Sequence, residues 1–112
     1  MNKSLILVVE DDTSVRNLIT TTLQAHEYRY LTAPNGQSAI LEASSHNPDI
    51  VLLDLGLPDM DGVEAIRQIK FVTSGTDGTV FFGVSATVDA QVKELFDKAG
   101  ATDVLRKPVK KE

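Results

Sequence analysis

Short runs rich in apolar residues alternate along the chain with longer amphipathic segments. The runs are residues 5–9 (LILVV), 29–33 (RYLTA), 49–55 (DIVLLDL), 80–86 (VFFGVSA) and 103–108 (DVLRKP). In the central runs the apolar residues are consecutive rather than alternating with polar ones, which is typical of strands buried on both faces of a parallel sheet. The pattern therefore predicts five strands.

The segments between these runs carry apolar residues at helical spacing. They are residues 13–28, 37–48, the segment after the loop 56–62 (GLPDMDG), and 89–100. The apolar positions that define them are Val15, Leu18, Ile19, Leu23; Ala39, Ile40, Ala43; Val63, Ile66, Ile69; and Val92, Leu95, Phe96. Thr13 or Ser14 is available as the N-cap of the first helix, and Gly100 as the stop of the fourth. Residues 73–79 (TSGTDGT) are polar and contain glycine, which predicts a surface loop.

Strictly alternating strands and helices indicate an α/β fold in which helices cover both faces of a parallel sheet. Right-handed crossovers then bring the carboxyl end of every strand to the same edge of the sheet. Ligands of such folds bind in the crevice outside those strand ends. We therefore expect the chemistry of this protein at the residues that directly follow its strands.

Composition narrows the class of protein. The 112 residues suit one domain with its own core, and the chain has no cysteine for disulfides or a thiolate metal site. Neither an apolar stretch long enough to cross a bilayer nor a signal peptide is visible, which predicts a cytoplasmic domain without membrane contact. A net charge of −5 disfavours direct binding of nucleic acid.

Acidic residues, a hydroxyl and a lysine follow the predicted strands. These residues are Glu10, Asp11 and Asp12 after the first strand, Asp54 in the third, Ser85 in the fourth and Lys107 in the fifth. Clustered carboxylates repel one another and favour a cation, and a set of oxygen ligands without histidine or cysteine suits Mg²⁺. A lysine and a hydroxyl at the same place suit phosphoryl transfer. Asp54 stands alone at its strand end and is the candidate nucleophile.

Each of these residues also has a purely structural interpretation. Asp12 is more readily explained as a helix N-cap than as a metal ligand. Asp54 could begin an Asx-turn, Ser85 could cap the following helix, and Lys107 could be a solvated side chain. Because four strand ends agree, we favour the joint, functional interpretation.

The segments ILVVEDD, DIVLLDLGLPDMDG, GVSA and LRKP, in this order and spacing, resemble the receiver domain of two-component response regulators over nearly the whole chain. The resemblance implies a flavodoxin-like sheet of order 2-1-3-4-5. It implies that Asp54 accepts a phosphoryl group from a kinase phosphohistidine. Mg²⁺ would be bound by Asp11, Asp54 and the backbone carbonyl of Gly56, with Glu10 reaching it through a water.

The same resemblance implies roles for the remaining residues. Lys107 would bond a phosphoryl oxygen and the Asp54 carboxylate, aimed by a cis bond before Pro108, and the Ser85 hydroxyl would move toward the phosphoryl group. The receiver would thus catalyse its own phosphorylation and dephosphorylation. The partner would be a histidine kinase or a histidine phosphotransfer protein.

Two features depart from the usual pattern of that family. An aromatic residue often lies three positions before the lysine, where this chain has Val104, and only four residues follow Pro108, too few for a fifth helix. We therefore expect a receiver domain over residues 1–112 that is a piece of a longer protein. Both features slightly favour the receiver of a hybrid sensor kinase that passes phosphate to a phosphotransfer protein. The alternative is the N-terminal receiver of a DNA-binding response regulator, with its output domain beyond residue 112.

Functions of other classes fit less well. A Mg²⁺-dependent aspartyl-phosphate phosphatase wants a second acid two residues after its nucleophile, where this chain has Gly56. A nucleotide-binding flavodoxin-like module wants glycine and hydroxyl residues after the first strand, where this chain has EDDTSV. A pseudo-receiver, which works by protein contacts alone, differs from the favoured hypothesis only in its failure to respond to Mg²⁺ and phosphoryl analogues.

Overall fold

The computed structural model describes residues 4–54, 56–73, 79–85, 94 and 103–106. Its strands are β1 (Leu5–Val9), β2 (Arg29–Ala33), β3 (Ile50–Asp54), β4 (Val80–Ser85) and β5 (Asp103–Arg106). Its helices are α1 (Thr13–Ala25), α2 (Gly36–His46) and α3 (Gly62–Val72). The described residues do not include the predicted helix over 89–100, apart from residue 94, or Lys107 and Pro108. The residues after Pro108, on which the prediction about a fifth helix rests, also lie outside them. Within the described ranges, no helix combines the length and apolar character that a membrane span requires.

The strands form one parallel sheet in the order β2-β1-β3-β4-β5. The predicted flavodoxin-like arrangement is therefore confirmed. In the register between β1 and β3, Val9 is the partner of Leu53. The residues that follow them, Glu10 just after β1 and Asp54 at the end of β3, are consequently neighbours at this edge of the sheet. The topology, rather than proximity in sequence, creates this pair.

Apolar side chains cover both faces of the sheet, as the consecutive apolar runs predicted. One face packs against α2 and α3 in a core cluster that includes Leu7, Val51, Leu53, Phe81 and, from the helices, Ala39, Ala43, Ile66 and Ile69. The other face packs against α1 in a smaller cluster built on Ile6, Val8 and Ile19. Alternate residues of β1 thus point to opposite cores, as the two-residue period of a strand requires.

The first helix begins at Thr13 as predicted but ends early. Among the offered caps, Asp12 rather than Thr13 or Ser14 is its N-cap, since the Asp12 carboxylate accepts a hydrogen bond of 3.0 Å from the Val15 amide. The helix ends at Ala25 rather than at residue 28, because Glu27 adopts a left-handed φ of 63°. The Tyr28 amide then donates to the Leu23 carbonyl at 3.0 Å, which closes the C-terminus in a Schellman-type arrangement.

The next two helices begin earlier than predicted. α2 starts at Gly36 and is capped by Asn35, whose side chain accepts from the Ser38 amide at 2.8 Å. It ends at His46, before Asn47 turns into the left-handed region with a φ of 46°. α3 starts at Gly62, which the sequence placed in the preceding loop, because Asp61 is its N-cap. In each case a short polar side chain fixes the first turn.

Neighbouring residues of α1 differ sharply in burial, which gives a matched test of the smaller core. Ile19 is 3% exposed between the helix and β1, whereas Leu18 remains 41% exposed. Ile19→Ala is expected to lower the free energy of unfolding by about 2–5 kcal/mol, the usual cost of a core truncation. Leu18→Ala should cost less than about 1 kcal/mol. Urea denaturation of both variants measures the two losses, and equal losses would contradict this packing.

Candidate functional site

Three carboxylates meet at the carboxyl edge of the sheet. One carboxylate oxygen from each of Glu10, Asp11 and Asp54 lies within 4.8 Å of the other two. Glu10 is 1% exposed and Asp54 is 5% exposed, while Asp11 is open to solvent. The structure therefore brings together the three acidic residues that the sequence singled out as metal ligands.

Backbone contacts hold the Glu10 end of this cluster. The Glu10 amide donates to the Ala33 carbonyl at the end of β2 at 3.0 Å. The Arg16 guanidinium, one turn into α1, donates to the Glu10 carbonyl at 2.8 Å. Sequence reasoning missed Arg16, since the only signal for it is an arginine on the helix that follows an acidic strand end.

Asp12 is adjacent in sequence to the cluster but does not belong to it. Its carboxylate caps α1, while its amide donates to Glu10 Oε2 at 3.1 Å. The structural interpretation of Asp12 is thus confirmed. The backbone amide of Asp12 thus binds a member of the cluster, while its carboxylate binds the first turn of α1.

Asp54 begins the loop between β3 and α3 with a side-chain contact of its own. Its Oδ1 accepts from the Gly56 amide at 3.2 Å, so the Asx-turn interpretation of Asp54 is also confirmed. A Cβ placed on Gly56 would meet no atom of the described residues within 4 Å. The structural role and the functional role of Asp54 are therefore compatible.

The far end of the same loop is fastened to α2. Asp59 Oδ1 and Oδ2 accept from the amides of Gly36 and Gln37 at 2.8 and 3.0 Å. These two backbone hydrogen bonds, with that to Gln37 the larger cause, lower the pKa of the Asp59 carboxyl from its ordinary value. The Met60 side chain lies over Gly36, where a Cβ would come within 2.5 Å of Met60 Cγ. The sequence contained no sign of the Asp59 hydrogen bonds, because they depend on how this loop packs against α2.

The structure gives only a backbone position for Ser85, and Lys107 is not among the described residues. Ser85 ends β4, and its partner in the register with β5 is Arg106. The ends of these strands therefore adjoin at the same edge as Asp54, which lies opposite Val84. Lys107, which follows Arg106, lies outside the described residues, and the roles predicted for Ser85 and Lys107 remain predictions.

The donor set fits a hard divalent cation. All three side-chain donors are carboxylate oxygens, and these oxygens lie within 4.8 Å of one another. Mg²⁺ prefers such oxygens and commonly takes one or two carboxylates together with waters and phosphate oxygens. The acidic cluster is therefore compatible with Mg²⁺.

Comparison with known proteins gives the family. The sequence-family model of the response regulator receiver domain matches residues 6–112. The KDP operon transcriptional regulatory protein KdpE of Escherichia coli is 36% identical over 103 residues, which are 92% of this chain and 44% of that protein. KdpE of Mycobacterium tuberculosis is 33% identical over 105 residues, 94% of this chain and 45% of that protein. The chain thus spans less than half the length of these relatives.

Solved structures agree with this assignment. The chemotaxis protein CheY4 of Vibrio cholerae superposes with a TM-score of 0.89 at 25% identity, over 97% of this chain and 90% of that one. A chain from the complex of the Saccharomyces cerevisiae histidine phosphotransfer protein Ypd1 with the receiver domain of Ssk1 gives a TM-score of 0.89 at 26% identity, over 96% and 81%. The acidic cluster, the strand order and these matches show that the chain belongs to the response regulator receiver domain family.

Proposed function

We propose that Asp54 of this receiver accepts a phosphoryl group from the phosphohistidine of a histidine kinase or a histidine phosphotransfer protein. The observation that carries the proposal is the position of Asp54, nearly buried and within 4.8 Å of two further carboxylates. Asp11, Asp54 and the Gly56 carbonyl would hold Mg²⁺, and Glu10 would reach it through a water. Taking an ionised carboxylate out of water is costly, and a bound cation offsets that cost.

In the proposed transfer, an oxygen of the Asp54 carboxylate forms a bond to phosphorus while the phosphorus–nitrogen bond of phosphohistidine breaks. The electron pair of that bond returns to the imidazole nitrogen, and Asp54 becomes an acyl phosphate. Bound Mg²⁺ supplies charge neutralisation for the phosphoryl oxygens. Because the nucleophile belongs to the receiver itself, the domain would promote its own phosphorylation, and a small phosphoryl donor could replace the kinase.

Two further side chains complete the proposed site. By the resemblance of LRKP and GVSA to the family pattern, Lys107 would donate to a phosphoryl oxygen and Ser85 would donate its hydroxyl to another. The proximity of the β4 and β5 ends supports this arrangement, since Ser85 and Arg106 are partners in the sheet. A cation and a donor at the place where charge accumulates favour the transfer.

The matched relatives support a receiver that controls an output segment of a longer cytoplasmic protein. Those named as KdpE are transcriptional regulatory proteins, which favours a DNA-binding output over the hybrid kinase. The second candidate is a relay to a phosphotransfer protein, and Val104 favours it, because the aromatic residue common at this position is absent. In the matched Ypd1–Ssk1 complex a phosphotransfer protein binds the receiver domain of its downstream response regulator, which supports a phosphotransfer protein as a partner but does not favour one direction of transfer.

Binding of beryllofluoride, an analogue of the phosphoryl group, tests the proposal. With Mg²⁺ present, amide NMR signals near Asp54, Ser85 and Lys107 are expected to shift on titration with beryllofluoride. The same titration of Asp54→Asn should leave them unchanged. Absence of any response in the wild-type protein at saturating Mg²⁺ would reduce the domain to a pseudo-receiver that acts through protein contacts alone.

A further inference from the structure

Gly56, whose carbonyl is a proposed Mg²⁺ ligand, has few contacts of its own. Gly56 is exposed, and its surroundings leave open space where a side chain would lie. The hydrogen bond that the Gly56 amide donates to Asp54 Oδ1 is long, at 3.2 Å. Its acceptor is a carboxylate that the proposed metal site also requires. The direction of this carbonyl therefore depends on how the residues that follow Gly56 are held.

Three anchors hold the rest of the loop that carries Gly56. Leu57 is buried in the larger core cluster. Asp61 caps α3, accepting from the Val63 amide at 2.7 Å, which is a contact within the start of that helix. Asp59 alone among the described residues 56–61 makes hydrogen bonds to a different element, the amides of Gly36 and Gln37 in α2.

The Asp59 contact is more than a cap for α2. That helix already has an N-cap, Asn35, which satisfies the Ser38 amide. Asp59 adds a two-pronged contact in which an ionised carboxylate binds two backbone amides, and such charge-assisted hydrogen bonds are stronger than neutral ones. The Met60 side chain closes over Gly36 directly beside it. The loop is thus fastened to α2 three residues beyond Gly56.

We propose that Asp59 is a positioning residue for metal binding: its bonds to the Gly36 and Gln37 amides hold the 56–61 loop so that the Gly56 carbonyl faces the acidic cluster. The inference rests on the proposed function, in which that carbonyl is a Mg²⁺ ligand. Residues that orient the ligands of a metal commonly alter its affinity by about tenfold or more. Asp59 therefore raises the affinity for Mg²⁺ without contacting the ion.

Calorimetric titration with Mg²⁺ at constant pH and ionic strength tests this role. Asp59→Ala, which removes both acceptors, is expected to weaken Mg²⁺ binding by about tenfold. Asp59→Asn keeps one acceptor oxygen and should give an intermediate loss. Glu64→Gln is the matched control, because it removes one negative charge from the first turn of α3, where Glu64 bonds only to Arg67 and Gln68 of its own helix. Its affinity should stay within about twofold of the wild type.

The folded state of each variant is checked by circular dichroism at the titration temperature, so that affinities of folded proteins are compared. A purely structural role would lower the melting temperature of Asp59→Ala and leave its Mg²⁺ affinity unchanged, which would overturn the inference. Equal losses in Asp59→Ala and Glu64→Gln would overturn it as well, since they would reflect charge alone. If the wild type itself binds no Mg²⁺, the proposed function fails, and this inference fails with it.

Discussion

Asp54→Asn is expected to reduce phosphorylation of the protein by at least about a thousandfold, as removal of a nucleophile commonly does. The substitution keeps the size of the side chain and an oxygen that can still accept from the Gly56 amide. It removes the anionic oxygen that would form the bond to phosphorus. Incubation with a small phosphoryl donor and Mg²⁺, followed by intact-protein mass measurement, gives the rate for both proteins.

Asp12→Asn is the matched control for this experiment. It removes one negative charge next to the acidic cluster, and asparagine caps a helix about as well as aspartate. Because the Asp12 carboxylate bonds to the Val15 amide and takes no part in the cluster, phosphorylation of this variant should remain within a few fold of the wild type. Equal loss in the two variants would show that net charge, rather than the Asp54 nucleophile, determines the rate.

The second large effect concerns stability. Without Mg²⁺, Asp54→Asn is expected to raise the free energy of unfolding by about 1–3 kcal/mol, because it removes one of three clustered charges. Two full charges at the 4.8 Å limit of the cluster repel by about 3 kcal/mol at an effective dielectric constant of about 20. Urea denaturation in the presence of a chelator measures this difference.

Addition of Mg²⁺ should remove most or all of this difference in stability. Mg²⁺ binds the folded wild type, and at about one hundred times its dissociation constant it adds about 2.7 kcal/mol of stability. Asp54→Asn has lost a ligand and should gain much less. Glu42→Gln, on the exposed side of α2 and paired with His46, is the control and should show the wild-type gain. If Mg²⁺ stabilises Asp54→Asn and the wild type equally, the cation does not bind at the acidic cluster.

The sequence predicted the sheet because its signals are strong and local. The consecutive apolar residues of β1 and β3 indicated that both faces of each strand are buried. The handedness of the crossover connections then determined which strand ends lie at the same edge. The pairing of Glu10 with Asp54 followed from those rules without any direct signal between the two residues. For that reason the acidic cluster could be predicted although its members are 44 positions apart.

Contacts that depend on particular distances could not be predicted. The sequence offered Asp12, Thr13 and Ser14 as caps of α1, and only the strand-to-helix geometry selects Asp12 among the three. The end of α1 depends on Glu27 accepting a left-handed conformation, which glycine would have signalled and glutamate does not. The bonds from Asp59 to α2 require the relative placement of two helices, and periodicity carries no information about it.

Identification of the phosphorylated residue tests the central claim most directly. The wild-type protein would be incubated with Mg²⁺ and a small phosphoryl donor, and the modified residue located by peptide mass spectrometry. The account predicts a single phosphoryl group on Asp54, formed only when Mg²⁺ is present. A phosphoryl group on another residue, or equal incorporation in the presence of a chelator, would contradict it.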